Sequence, residues 1–89
     1  MRTHFISLDG FELQVILDYY DWREVLDHPS HGHRLTLIPK NRNLIPFLPK
    51  EWHTSCLTVK YGETRALKHA ERLLQNAITR MRLHVAMNA

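Results

Sequence analysis

A β-hairpin is encoded by residues 5–17, which read Phe5-Ile6-Ser7-Leu8-Asp9-Gly10-Phe11-Glu12-Leu13-Gln14-Val15-Ile16-Leu17. Asp-Gly between two alternating runs is the preferred dipeptide of a type I′ turn, because both turn residues need a positive φ. The two-residue loop fixes the register, so Leu8 is expected opposite Phe11. Apolar side chains of both runs then share one face of the sheet and polar side chains the other. Phe5 and Ile16 are the exceptions, since they fall on the polar face.

A long amphipathic helix is predicted in the last third of the sequence. Apolar residues recur at helical spacing from Ala66 to Met81, and neither proline nor glycine interrupts the run. The opposite side of this helix is basic and carries Arg65, Lys68, Arg72, Arg80 and Arg82. Gly62-Glu63-Thr64 provides a helix start, with Thr64 as the N-cap and Glu63 beside the positive end of the helix dipole.

Two further strands are predicted at residues 34–38 and 55–61, where β-branched, aromatic and leucine residues alternate with polar ones. Residues 39–54 contain three prolines among apolar residues, so we expect this connection to pack over an edge of the core. Residues 21–27 are too short to assign and fit either one helical turn or an irregular crossover. The sequence therefore predicts an α+β fold: an antiparallel sheet of three to four strands packed against one long C-terminal helix, in a single domain spanning residues 1–89.

Composition limits the class of protein. The 89 residues are 44% hydrophobic and 24% charged, which is ordinary for a globular domain and excludes a disordered chain. No stretch approaches the length of a membrane span, and the first residues lack the apolar core of a signal peptide. A single cysteine, Cys56, cannot form an internal disulfide and suits a reducing compartment. We therefore expect a cytoplasmic protein that does not associate with membranes.

Charge is unevenly distributed along the chain. Through residue 27 there are six carboxylates and two basic residues, whereas ten basic residues and three carboxylates follow. The acidic part could neutralise the basic part after folding, or a basic face could remain and meet an acidic partner. Both alternatives stay open at the level of sequence.

The reactive residue types do not form a recognisable catalytic or metal site. Of the seven histidines, His28, His31 and His33 lie close together, but no paired Cys-x-x-Cys accompanies them or the later His53 and Cys56. A nucleophilic role for Cys56 would need an activating base and an oxyanion device, and no such pattern is present. We therefore predict no cofactor, no metal and no enzymatic activity.

Two kinds of partner fit what remains. A nucleic acid could meet the basic helix side, with exposed Tyr20 or Trp52 stacking on bases, although the acidic first third would be repelled by phosphates. A protein partner fits more of the chain, because apolar anchors at residues 44–52 lie next to basic residues. The residues predicted to bind an acidic protein surface are Arg34, Lys40, Arg42, Phe47, Trp52, Arg65, Lys68 and Arg72.

The favoured hypothesis is a small non-enzymatic regulator or inhibitor that occludes a partner's surface. Small phage or mobile-element proteins that block host defence complexes, anti-CRISPR proteins among them, share this profile of size, charge and absent chemistry. The likeness is one of profile and does not rest on shared motifs. The sequence alone does not define an oligomeric state, although an exposed first or last strand could pair with a copy of itself.

Overall fold

The protein is an antiparallel sheet covered on one face by a long helix. This computed structural model describes residues 2–21, 31–55 and 59–88. The strands are β1 (Arg2–Leu8), β2 (Phe11–Asp21), β3 (His31–Pro39) and β4 (Glu51–Ser55). A 3-10 helix (Arg42–Phe47) lies between β3 and β4, and helix α1 (Val59–Met87) follows β4. The strands pair in the order β1-β2-β3-β4, all antiparallel, which confirms the predicted α+β fold.

The N-terminal hairpin has the predicted turn and register. Asp9 and Gly10 have φ values of 51° and 81°, as a type I′ turn requires. Leu8 pairs with Phe11 and the register continues without a break as far as Arg2 opposite Leu17. The local Asp-Gly signal therefore sets the pairing of the first two strands along their whole shared length.

The covered face of the sheet forms the core with α1. Leu13 and Val15 of β2 and Leu35 of β3 are fully buried, and Leu17 and Leu37 are nearly so. These residues alternate along their strands with side chains on the opposite face. Burying five branched aliphatic side chains is the main favourable contribution of the sheet to stability.

The opposite, open face of the sheet has no helix against it among the described residues. The predicted exceptions lie here, and Phe5 is 65% exposed. The pairing register places Phe5, Gln14 and Ile38 side by side in one row across β1, β2 and β3. Ile38 is 44% exposed, so this row presents two large apolar side chains to solvent.

Helix α1 packs closely on the sheet because its inner side carries small residues. Ala66, Ala70 and Ala77 are fully buried, together with Leu74 and Ile78. Alanine at these positions lets the helix backbone approach the leucines of the covered face. Arg65 and Arg72 are exposed on the outer side, as predicted.

The last turns of α1 extend past the sheet. The helix has 29 residues, which at the rise of an α-helix corresponds to about 43 Å, and the whole molecule measures 47 Å along its longest axis. Residues 82–88 are all exposed, including Leu83, Val85 and Met87. Nowhere in the described part of the chain is there a helix apolar enough over a sufficient length to cross a membrane.

The connection between β3 and β4 packs on the core, as its apolar composition predicts. Asn41 caps the 3-10 helix by accepting a hydrogen bond from the Asn43 backbone N–H at 2.9 Å. Leu44 is fully buried and Leu48 nearly so. The connection closes where the Leu37 N–H donates to the Lys50 carbonyl at 2.9 Å.

The predicted fourth strand at residues 55–61 is misplaced: Ser55 is the last residue of the observed strand, residues 59–61 are helical, and residues 56–58 lie outside the described ranges. The strand that pairs with β3 is Glu51–Ser55, with Trp52 opposite Leu35, and α1 already begins at Val59. Thr64 and Glu63 therefore lie inside the helix, and Thr64 is not its N-cap. The β-branched and aromatic residues near position 60 favour a strand locally, but pairing with β3 and the length of α1 override that preference.

The third strand is longer than residues 34–38. It starts at His31 because its first residues pair with Tyr20 and Asp21 at the end of the long β2. The interpretations offered for residues 22–27 and for Cys56 lie outside the described residues.

Candidate functional site

Folding pairs N-terminal carboxylates with basic residues from later in the chain. The pairs are Asp9 with Arg82 at 3.4 Å, Glu12 with Lys40 at 3.8 Å, and Asp18 with Arg34 at 3.3 Å. The first two pairs are exposed and contribute little to stability. These pairs matter for the surface charge of the protein. Each neutralises a basic residue that, from the sequence alone, could have contributed to a basic face. The neutralisation considered at the level of sequence is thus realised for part of the chain.

A basic stripe remains on the outer side of α1. Arg65, Lys68 and Arg72 are all exposed. Helical spacing puts them on one side, about opposite the buried alanines. No described carboxylate forms an ion pair with any of the three. The stripe therefore keeps its full charge.

An aromatic pair flanks this stripe. Trp52 lies on the covered face of edge strand β4, where its ring centroid is 4.4 Å from that of His69 on α1. Trp52 is still 38% exposed. The Trp52 ring therefore packs against His69 and is also partly accessible to a ligand.

His69 is a neutral platform for Trp52 at neutral pH. Burial of the imidazole, reinforced by the positive charges of Arg72 and Arg65, lowers the pKa of His69 below its ordinary value of 6.5. Its Nε2 is buried and has no hydrogen-bond partner among the described residues. Arg65 and Arg72 are four residues before and three residues after His69, so helical spacing puts both beside it on the same side of α1. We call Trp52, His69, Arg65, Lys68 and Arg72 together the Trp–Arg surface.

A shallow depression adjoins the Trp–Arg surface at β4. Its volume is about 400 Å³, and Glu51, Trp52 and His53 line it. The Glu51 carboxylate lies 3.9 Å from His53 Nε2. Alternation along β4 puts Glu51 and His53 on the open face and Trp52 on the covered face, so the depression crosses the edge of the sheet and the Glu51 charge lies across β4 from Trp52.

Phe47, another predicted partner-binding residue, packs against helix α1. Its ring is half-buried against the core and lies 5.8 Å from the His84 ring. The Arg80 guanidinium carbon is 5.9 Å from the centroid of the Phe47 ring. Phe47 is thus engaged by α1 on two sides, and Arg42 stands exposed on the same 3-10 helix.

The eight predicted partner-binding residues do not form one surface. Trp52, Arg65, Lys68 and Arg72 come together in the Trp–Arg surface. Arg34 lies on the open face of the sheet, where it is paired with Asp18, and Lys40 is paired with Glu12. Arg34 and the Trp–Arg surface therefore lie on opposite faces of the sheet.

A polar cluster joins β1 to α1 and was missed at the level of sequence. Glu63 accepts hydrogen bonds from Arg2 at 3.0 and 3.1 Å and lies 3.2 Å from His4 Nε2. Its carboxylate therefore binds β1 rather than only the helix dipole. No local signal predicts these contacts, since 61 positions separate Arg2 from Glu63.

His33 is the buried polar residue among those described, with 3% of its surface exposed. Burial lowers the pKa of His33 below its ordinary value, an effect that the negative charge of Glu63 partly offsets. Among the described residues, no group of three histidine, cysteine or carboxylate side chains is arranged to hold a metal ion.

Comparison of the chain with protein-family models, with curated proteins and with solved structures found no match. A functional conclusion therefore depends on the geometry and charge of the Trp–Arg surface.

Proposed function

We propose that this protein is a small non-enzymatic binding domain that regulates or inhibits a partner protein by covering an acidic part of its surface. One observation carries the proposal. Folding pairs N-terminal carboxylates with basic residues elsewhere, yet leaves Arg65, Lys68 and Arg72 without a described ion-pair partner beside the half-exposed Trp52.

Each part of the Trp–Arg surface has a distinct role in this proposal. The three cations steer the domain toward a negative patch and raise the association rate. Trp52 supplies most of the binding energy, because a large ring that is held in place loses little conformational freedom when it becomes buried. Inhibition follows from steric occlusion, without turnover. A phage or mobile-element inhibitor of a host defence complex, of the anti-CRISPR type, fits this description.

Glu51 favours a protein partner over a nucleic acid. Glu51 lines the same depression as Trp52 from the other face of β4, and its carboxylate would repel a strand of phosphates that crossed this edge of the sheet. A protein surface can offer a lysine or arginine donor to Glu51 and carboxylates to the stripe, whereas a phosphodiester backbone offers acceptors alone.

Nucleic-acid binding is the second candidate. An exposed tryptophan beside a basic helix suits a single strand, because bases stack on the ring and phosphates meet the cations. If this candidate is correct, single-stranded DNA gives a mobility shift that weakens steeply as salt is raised. A protein-binding domain gives no such shift at physiological salt.

A matched pair of charge-reversal variants tests the proposal. Arg65→Glu/Arg72→Glu reverses two cations of the Trp–Arg surface, and Arg80→Glu/Arg82→Glu makes the same change in net charge at two exposed cations of α1 outside it. The wild type is used to capture a partner from cell extract, and binding is then measured with that partner purified.

The first variant is expected to lose at least about tenfold in affinity, equivalent to about 1.4 kcal/mol, and the second to bind nearly as well as the wild type. Trp52→Ala should weaken binding further still, with the fold checked by circular dichroism. Equal losses in both charge variants would mean that only net charge matters and would contradict a defined site.

A further inference from the structure

The two edges of the sheet differ in how they are protected. β4 is five residues long, follows Pro49 and Lys50, and carries the charged Glu51. Short strands, lysine, proline and charge are the usual devices that keep an edge from pairing with another chain. β1 is seven residues long and contains no proline or lysine, and its charged residue Arg2 is at the first position, where it is bound to Glu63. Its seven residues also pair with β2 in unbroken register, without a bulge.

The hairpin turn determines which backbone groups β1 exposes. In a type I′ turn the Leu8 carbonyl accepts from the Phe11 N–H, so Leu8 and Phe11 are a hydrogen-bonded pair. Hydrogen-bonded and non-hydrogen-bonded pairs alternate along an antiparallel ladder. The N–H and C=O groups of Thr3, Phe5 and Ser7 therefore point away from β2. No described strand pairs with that edge.

We propose that β1 is a self-association edge, and that a second copy of this chain pairs with it antiparallel about a two-fold axis at Phe5. In this register Phe5 faces Phe5 of the second copy, and Thr3 faces its Ser7. All three residues have outward backbone groups in both copies. Every outward N–H therefore meets an outward C=O, which is the condition for a continuous sheet across the two copies.

The side chains support a second copy rather than an unrelated strand. The outward residues read Thr3, Phe5, Ser7, so a hydroxyl, an aromatic ring and a hydroxyl are symmetric about the centre. Cross-strand aromatic pairs and Thr–Ser pairs are both favourable in sheets. Phe5 is 65% exposed and is expected to become partly covered by the ring of the second copy.

The charges on β1 are compatible with this register. Arg2 faces Leu8 of the second copy, so no two like charges lie opposite each other. Beyond Leu8 comes Asp9, so the basic end of one β1 lies beside the acidic turn of the other. The Trp–Arg surface is not involved, because it lies on α1 and β4.

Sedimentation velocity over a range of protein concentrations tests the proposal. The wild type is expected to move from monomer to dimer as its concentration rises. Phe5→Pro removes an outward N–H without removing a hydrogen bond to β2. It should weaken dimerisation by about tenfold to a hundredfold, as expected for an edge group left unpaired.

Two charge variants test the register itself. Phe5→Lys and Phe5→Glu should each be monomeric, because like charges then face each other at the two-fold axis. An equimolar mixture should recover the dimer, since the introduced lysine faces the introduced glutamate. Ile38→Lys and Ile38→Glu are the matched controls: they lie in the same row, away from the edge, and should dimerise like the wild type.

The proposal is overturned if the wild type stays monomeric at every concentration, as it would if β1 pairs only with a different protein. It is equally overturned if the dimer persists in both Phe5 charge variants, or if their mixture stays monomeric while circular dichroism shows both to be folded. Arg65→Glu/Arg72→Glu should leave dimerisation unchanged, so failure of the proposed function and failure of this inference are separable.

Discussion

The two faces of the sheet are built from the same strands but differ in burial: one packs against α1 and the other is largely exposed. On β3, Leu35 is fully buried beneath α1, whereas Ile38 is 44% exposed on the open face. Both residues are branched aliphatics, so the difference comes from what packs on them. Burial of apolar side chains on the covered face stabilises the fold, whereas side chains on the open face contribute much less to stability. Substitutions on the open face can therefore change contacts with other molecules at little cost to folding.

Among the substitutions that test this difference between the two faces, Leu35→Ala is expected to have the largest effect on stability. Removing a fully buried leucine side chain should lower the free energy of unfolding by about 2–5 kcal/mol, through lost burial and the cavity left behind. Urea denaturation at one fixed protein concentration measures the effect. A loss below about 1 kcal/mol would mean that the core under α1 is not tightly packed.

Ala70→Leu probes the close approach of α1 to the sheet. Ala70 is fully buried, so a larger side chain must push the helix outward, at an expected cost of about 1–3 kcal/mol. Ala86→Leu makes the same change on the exposed end of the helix and should alter stability by less than about 0.5 kcal/mol. Equal effects of the two substitutions would argue against a closely seated helix.

The buried His33 should make stability depend on pH. Burial lowers its pKa in the folded state below the ordinary value of 6.5, so the unfolded chain binds more protons once the pH falls through that value. The free energy of unfolding is therefore expected to decrease as the pH is lowered from about 7.5 to about 5. His69, whose pKa is also lowered, contributes in the same direction.

His33→Gln keeps a neutral hydrogen-bonding side chain and should reduce this pH dependence. Urea midpoints across the same pH range provide the measurement, with His53→Gln as the control at an exposed histidine. A slope that is unchanged by His33→Gln would assign the pH dependence to other groups.

Ile38→Thr on the open face is the smallest expected change. The side chain keeps its β-branching and loses apolar area that is already partly in water, so stability should change by less than about 0.5 kcal/mol. The same denaturation series includes this variant. A loss approaching that of Leu35→Ala would show that another part of the protein covers the open face.

Local signals in the sequence accounted for the hairpin and for the helix. The Asp9-Gly10 turn and the alternation around it need only neighbouring residues, and the register they predict is confirmed. The amphipathic pattern of α1 is likewise a property of one segment. The position of β4 was mispredicted because it depends on pairing with β3, where Trp52 faces Leu35.

The candidate site was only partly predictable for the same reason. The outward direction of Arg65, Lys68 and Arg72 follows from helical periodicity. The contact between Trp52 and His69 joins two elements and has no signature in either segment. The same holds for the salt bridges of Asp18 with Arg34 and of Glu63 with Arg2, which decide which cations remain available.

The overhang of α1 past the sheet implies a gradient of local opening along one helix. Amides around Ala70 and Leu74 lie behind the leucines of the covered face and are expected to exchange with deuterium only through global unfolding. Those around the exposed Val85 are expected to exchange through fraying of the last turns. A protease that recognises frayed chain would therefore shorten the helix from this end while leaving the core intact.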